Sequence, residues 1–106
     1  MRVLFDQGTP VPLRKFLQNH QVETAFECGW ANLKNGELLS NAEQCGFEVF
    51  ITTDQNLRFQ QNLIEKKISI IVLSSTSWPR IQKIGSTISQ FVDTVLPGSF
   101  QKITVP

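Results

Sequence analysis

Three observations predict an α/β fold with a mostly parallel sheet of four to five strands. Short apolar runs alternate with helix-spaced apolar residues along the whole chain. The two richest runs, 47–53 and 68–73, are too uniformly apolar and β-branched for strands wetted on one side, and suit strands covered on both faces. Each strand pattern is separated from the next by a crossover segment, as parallel pairing requires, and such crossovers are right-handed. With 106 residues, 1–106 forms one domain with a single core.

Val3, Leu4 and Phe5 open the chain as a strand that ends at Asp6. Gly8, Thr9 and Pro10 then start a helix, with Thr9 as its N-cap, Pro10 in its first turn, and Leu13, Phe16 and Leu17 facing inward as far as Asn19 and His20. Residues 21–26 alternate Val22, Thr24 and Phe26 with Glu23 and Ala25, the pattern of a half-exposed edge strand. After a loop through Cys28, Gly29 and Trp30, a helix carries Leu38, Leu39, Ala42 and Cys45 on one face until Gly46 stops it. The strand 47–53 leads directly to Asp54. A helix over 56–67 follows, with Lys66 and Lys67 at the negative end of its dipole. The strand 68–73 exits into a polar loop, 74–77. Pro79 opens a long amphipathic helix with Ile81, Ile84, Ile88, Phe91, Val92 and Val95 in one stripe; Gly85 weakens its intrinsic propensity, so packing must hold it. Pro97 and Gly98 end that helix, and residues 100–105 add a last strand.

Ten Lys and Arg against nine Asp and Glu give a net charge of +1, which announces no broad nucleic-acid surface. The opening apolar run is broken by Asp6, Gly8 and Pro10, and no eighteen-residue apolar stretch occurs, so the expectation is a cytoplasmic protein with no membrane partner. Two cysteines and one histidine are too few for a zinc site, and Cys28 and Cys45 read as reduced thiols.

The chemistry is concentrated at two strand exits. Ligands of open α/β sheets bind outside the carboxyl ends of the strands, and Asp6 and Asp54 both lie there. Two carboxylates that converge repel one another unless a proton or a hard cation lies between them. Glu37, in the first turn of the intervening helix, is the third acid that could lean over this edge. Asp6, Glu37 and Asp54 are therefore the candidate metal ligands and catalytic residues, for Mg²⁺ or Mn²⁺. Gln7, Thr53 and Asn56 flank them and could orient them. Arg14, Lys15 and Arg58, with Arg80 and Lys83, are candidates for a phosphate track beside this edge.

The opening strand ending in Leu4-Phe5-Asp6 before a proline-led helix resembles the small stand-alone PIN-like proteins. The acidic stretch from Gly36 and Glu37 through Ala42 is similar to their middle helix, and Thr52-Thr53-Asp54-Gln55-Asn56-Leu57 to their strand-exit motif. The resemblance covers residues 1 to about 75. It implies a PIN-like three-layer α/β/α fold, Mg²⁺ or Mn²⁺ held by Asp6 and Asp54 with Glu37, and hydrolysis of RNA. Many members are toxins of toxin–antitoxin pairs, which implies a small antitoxin-like partner; a homodimer is a further candidate assembly. Where the family carries a second Asp and an aromatic, this chain has Asn56 and Leu57. Asn supplies no charge, so a catalytically degenerate PIN-like interaction module is the alternative.

Each residue also has a structural reading. Asp6 could accept hydrogen bonds in its own turn, Asp54 and Asn56 could cap the following helix, and Glu37 could serve the helix dipole. Trp30 and Trp78 could stack bases or cover the core. A receiver-like signalling domain would also place Asp54 at a third strand exit, with Ser74, Ser75 and Thr76 after the fourth. It requires an acid pair where this chain has Asp6 and Gln7, and a lysine where this chain ends in Ile103-Thr104-Val105-Pro106.

Overall fold

The computed structural model describes residues 1–57 and 67–106. Five strands form one sheet: β1 (Arg2–Phe5), β2 (Gln21–Thr24), β3 (Val49–Thr52), β4 (Ser69–Leu73) and β5 (Phe100–Ile103). Their order is β2-β1-β3-β4-β5, and all four pairings are parallel. Every residue of β3 and β4 is buried, as their uniformly apolar sequences require, while β2 is an edge strand.

Side-chain parity divides the core into two. Val3, Phe5, Val49, Ile51, Ile71 and Leu73 point to one face and pack with Leu13 of the 3₁₀ helix Val11–Phe16, with Leu17 just after it, and with Ile81, Ile88 and Val92. Leu4, Phe50, Ile70 and Val72 point to the other, against Leu38, Leu39 and Ala42 of α1 (Asn35–Gln44). Gly46, at φ +88°, follows α1 in the left-handed conformation that ends helices.

Several elements differ from their sequence expectation. The segment after β1 is a six-residue 3₁₀ helix rather than an α-helix, and its N-cap is Pro10, not Thr9. Its Leu13 N–H donates to the Pro10 carbonyl at 3.1 Å, and Pro12 has no N–H to offer. A 3₁₀ helix rises about 2.0 Å per residue against about 1.5 Å, so a short connection reaches further along the sheet. Strand β2 ends at Thr24, leaving Phe26 outside the sheet and exposed. The expected long C-terminal helix is three pieces: α2 (Trp78–Ile81), a 3₁₀ turn (Gln82–Ile84) and α3 (Gly85–Asp93). At the break, a Cβ on Gly85 would meet the Phe16 ring at 2.6 Å, so the hydrogen at this position admits the ring. Phe91, expected in the buried stripe, is 36% exposed. Strand β5 stops at Ile103, and the Val105 N–H instead donates to Ser74 Oγ at 2.7 Å.

Most of the helix expected over 56–67, with Arg58 on it, lies outside the described residues. Among the described residues no helix is long and apolar enough to cross a membrane.

Candidate functional site

In the order β2-β1-β3-β4-β5, the chain leaves β1 toward one side for β2 and returns to pair β3 on the other side. The gap beyond the carboxyl ends of β1 and β3 is therefore the topological switch point, where α/β sheets open a crevice. Asp6 and Asp54 stand at its two sides. The register sets Phe5 against Ile51, and Asp6 N–H continues the ladder by donating to the Ile51 carbonyl at 3.2 Å. Asp6 thus comes level with Thr52, and both share the parity of Leu4 and Phe50.

Asp6 is buried, at 9% exposure, and its carboxylate is held from two directions. Oδ1 accepts the Thr9 N–H at 3.1 Å and the Thr9 hydroxyl at 2.7 Å. The same hydroxyl lies 3.0 Å from the Ile51 carbonyl, so Thr9 braces Asp6 against β3 as well as closing its turn. Oδ2 accepts a short hydrogen bond from the hydroxyl of Thr52, which is fully buried. Thr52 Oγ1 in turn accepts the Asp54 N–H at 3.0 Å. One hydroxyl therefore ties the Asp6 carboxylate to the backbone of Asp54.

Asp54 is half-buried, and its Oδ1 accepts the Asn56 N–H at 3.0 Å while its carbonyl accepts the Leu57 N–H at 3.3 Å. Asp6 thus serves the turn it opens, as its structural reading expects, and Asp54 bonds within its own turn, while most of the helix it was expected to cap lies outside the described residues. Gln55, which the sequence did not single out, donates Nε2 to the Thr53 carbonyl at 3.0 Å and to the Leu73 carbonyl, tying this turn to the end of β4.

A cleft of about 140 Å³ lies beside Asp6, with Gln7, Gly8, Ala25, Trp30 and Leu33 among its walls. Gly8 is required there, because a Cβ would meet Thr53 Oγ1 at 2.4 Å. Thr53, expected to orient the acids, faces Gly8; the orienting hydroxyls are those of Thr9 and Thr52. Glu37 is exposed in the first turn of α1, where its charge meets the positive end of the dipole. Among the described residues no group of three His, Cys, Asp or Glu side chains lies close enough to hold one metal ion.

The acceptor capacity left on Asp6 limits the class of cation the cleft could take. A carboxylate has about four acceptor positions, and three donors already reach Asp6, leaving about one for a ligand from the cleft. Mg²⁺ keeps several waters and is commonly held by only one or two carboxylates. Asp6, with about one position left, matches a hydrated ion of that kind and not a cage in which protein supplies every ligand.

The expected basic track is partly committed elsewhere. Arg14 Nη2 pairs with Glu27 Oε1 at 2.5 Å, and this bond holds the Glu27 carboxyl below its usual range. Lys15 is exposed on the same 3₁₀ helix, and Arg80 and Lys83 are exposed on α2 and the turn after it. Trp30 and Trp78 are each half-buried, packing on Phe47 and Phe16 with ring centroids 6.1 and 6.2 Å apart. His20, expected at a helix end, accepts from the Met1 amino group at Nδ1 (3.2 Å) and donates Nε2–H to Asp93 at 2.6 Å.

The fold and site together define a small parallel α/β protein with an aspartate at each of the two strand exits that flank its switch point. No protein-family profile, curated protein or solved structure matches this chain.

Proposed function

We propose that this chain is a PIN-like, metal-dependent ribonuclease that works at the β1–β3 switch point, with Asp6 and Asp54 as the ligands of a hydrated Mg²⁺ or Mn²⁺. The supporting observation is the buried Thr52 hydroxyl, which donates to the Asp6 carboxylate and accepts the backbone N–H of Asp54 at the adjacent strand exit. When bound, such an ion polarises a phosphate oxygen and lowers the pKa of an attacking water. The protein's contribution is positional. Thr9 and Thr52 fix both oxygens of Asp6, and Gln55 anchors the turn that carries Asp54. Glu37, exposed in the first turn of α1, stands outside this pair, while Gln7 lines the cleft where a phosphate would enter. In this reading the chain is the toxin of a toxin–antitoxin pair in the cytoplasm, silenced by a small protein.

A second reading, a catalytically degenerate interaction module on the same scaffold, is favoured by Asn56 standing where the resemblance implies an acid. The receiver-like reading fares worse: the lysine of β5, Lys102, lies within the strand opposite Val72 and not beyond its end. Strand order alone does not decide between functions.

Purified protein incubated with single-stranded RNAs and Mn²⁺ or Mg²⁺ tests the proposal. Cleavage should fall by roughly 100-fold in Asp6→Asn and Asp54→Asn, the scale of losing one group that stabilises transition-state charge. Circular dichroism should show both variants folded. Equal cleavage by the variants and the parent would remove the catalytic assignment; no cleavage by the parent, with either ion, would favour the interaction module.

A further inference from the structure

Phe26 is 77% exposed, the largest exposure among the large apolar residues described. The turn that carries it is closely bonded. Thr24 N–H donates to Glu27 Oε1 at 2.9 Å and Glu27 N–H donates to Thr24 Oγ1 at 3.1 Å, the reciprocal pairing of a capping box. The Cys28 N–H donates to the Thr24 carbonyl at 3.1 Å, and the Trp30 N–H to the Ala25 carbonyl at 2.8 Å. Glu27 is also held by Arg14 from the 3₁₀ helix. An aromatic ring is thus presented to solvent on a backbone already ordered, so a ligand stacking on it would spend little on fixing the loop.

The position of the turn points to the ligand. It leaves β2 at the same edge as Asp6, and the Ala25 N–H donates to the Phe5 carbonyl at 2.8 Å, one residue before Asp6. Ala25, next to Phe26 in the chain, shares the walls of the cleft with Asp6 and Gln7. Glu27, which follows Phe26 in the chain, is paired with Arg14, and Arg14 is followed by exposed Lys15. A protein interface core would set such a ring in an apolar surround. An unpaired base needs one π-face and a nearby cation for its phosphate.

We infer that Phe26 is a stacking platform for one unpaired base of a single-stranded RNA whose backbone passes Asp6; this rests on the ribonuclease reading above. Paired bases are stacked on their neighbours and cannot use the ring, so Phe26 selects single strands over duplexes.

Fluorescence anisotropy with a labelled single-stranded RNA and a duplex of equal length, in chelator so that no cleavage occurs, tests this directly. Phe26→Ala should weaken single-strand binding about tenfold, leave duplex binding and the melting temperature unchanged, and be rescued by Phe26→Trp. Phe26-dependent binding without cleavage in added Mn²⁺ supports the platform while the ribonuclease reading fails. Cleavage with binding indifferent to Phe26→Ala overturns the platform and leaves that reading intact. Equal loss on single strands and duplex, or no RNA binding by the parent protein, also overturns it.

Discussion

Thr52 donates its hydroxyl to Oδ2 of Asp6 across the β1–β3 pair, with both side chains buried, and the same oxygen accepts the Asp54 N–H. The carboxyl edge is therefore organised by a threonine that carries no charge. Thr52→Val keeps the shape and removes the donor, leaving a buried carboxylate oxygen short of one partner. Urea unfolding should show a loss of about 1–3 kcal/mol, with Thr52→Ser close to the parent protein. An equally stable valine variant would show that the hydroxyl does not hold this edge.

Gly85 offers a test in which local propensity and packing predict opposite signs. Alanine in place of glycine favours a helix by about 1 kcal/mol. Here, however, the new Cβ would meet Cγ, Cδ1 and Cε1 of Phe16 at 2.6 Å. Overpacking costs about 1–3 kcal/mol, so Gly85→Ala should lower the melting temperature. Combining it with Phe16→Leu should recover part of the loss, and a Gly85→Ala variant more stable than the parent would contradict the packing.

Asp93 predicts the pH dependence of the contact between α3 and the start of β2. The hydrogen bond from His20 lowers its carboxyl below the ordinary value near 3.8, with Asn19 adding a weaker donor. A carboxyl depressed in the folded state binds fewer protons there than in the unfolded chain. Its contribution is present above the unfolded value and is lost as pH falls through the lowered folded one. Melting temperature should therefore decline below about pH 4 more steeply in the parent than in Asp93→Asn. Parallel profiles for the two proteins would sink the assignment.

The cysteines should react at different rates. Cys28 is half-buried, and burial together with a hydrogen bond to Glu23 pushes its thiol up to about 11, while Cys45 is exposed. The thiolate is the reactive form, so a maleimide at neutral pH should label Cys45 quickly and Cys28 slowly. Cys45→Ser should abolish the fast phase; a fast phase that survives it would reverse the assignment.

The elements legible in the sequence were those set by local pattern. The runs around Val3, Phe50 and Ile71 read as strands, those around Phe50 and Ile71 as strands covered on both faces, and Gly46 as the stop of a helix, and the fold has them so. The 3₁₀ helix after Pro10 and the break before Gly85 were not legible. The first depends on the distance the connection must span, and the second on a Phe16 ring nearly seventy positions away in the chain. Phe26 read as a strand residue because its spacing fitted, but the reciprocal bonding of Thr24 and Glu27 ends the strand first.

By itself, the sequence determined that Asp6 and Asp54 close two apolar strands, since strand-forming runs and the polar residues ending them are local properties. Only the tertiary structure decided which hydroxyl serves them. Thr52 and Thr53 are adjacent, and side chains alternate between the two faces of a sheet, so one of the two had to face Asp6 and the other away. The choice follows from the register of β1 on β3, which pairs Leu4 with Phe50 and so brings Asp6 level with Thr52. That register is fixed by contacts between segments more than forty residues apart, a relation that no local pattern in the chain encodes.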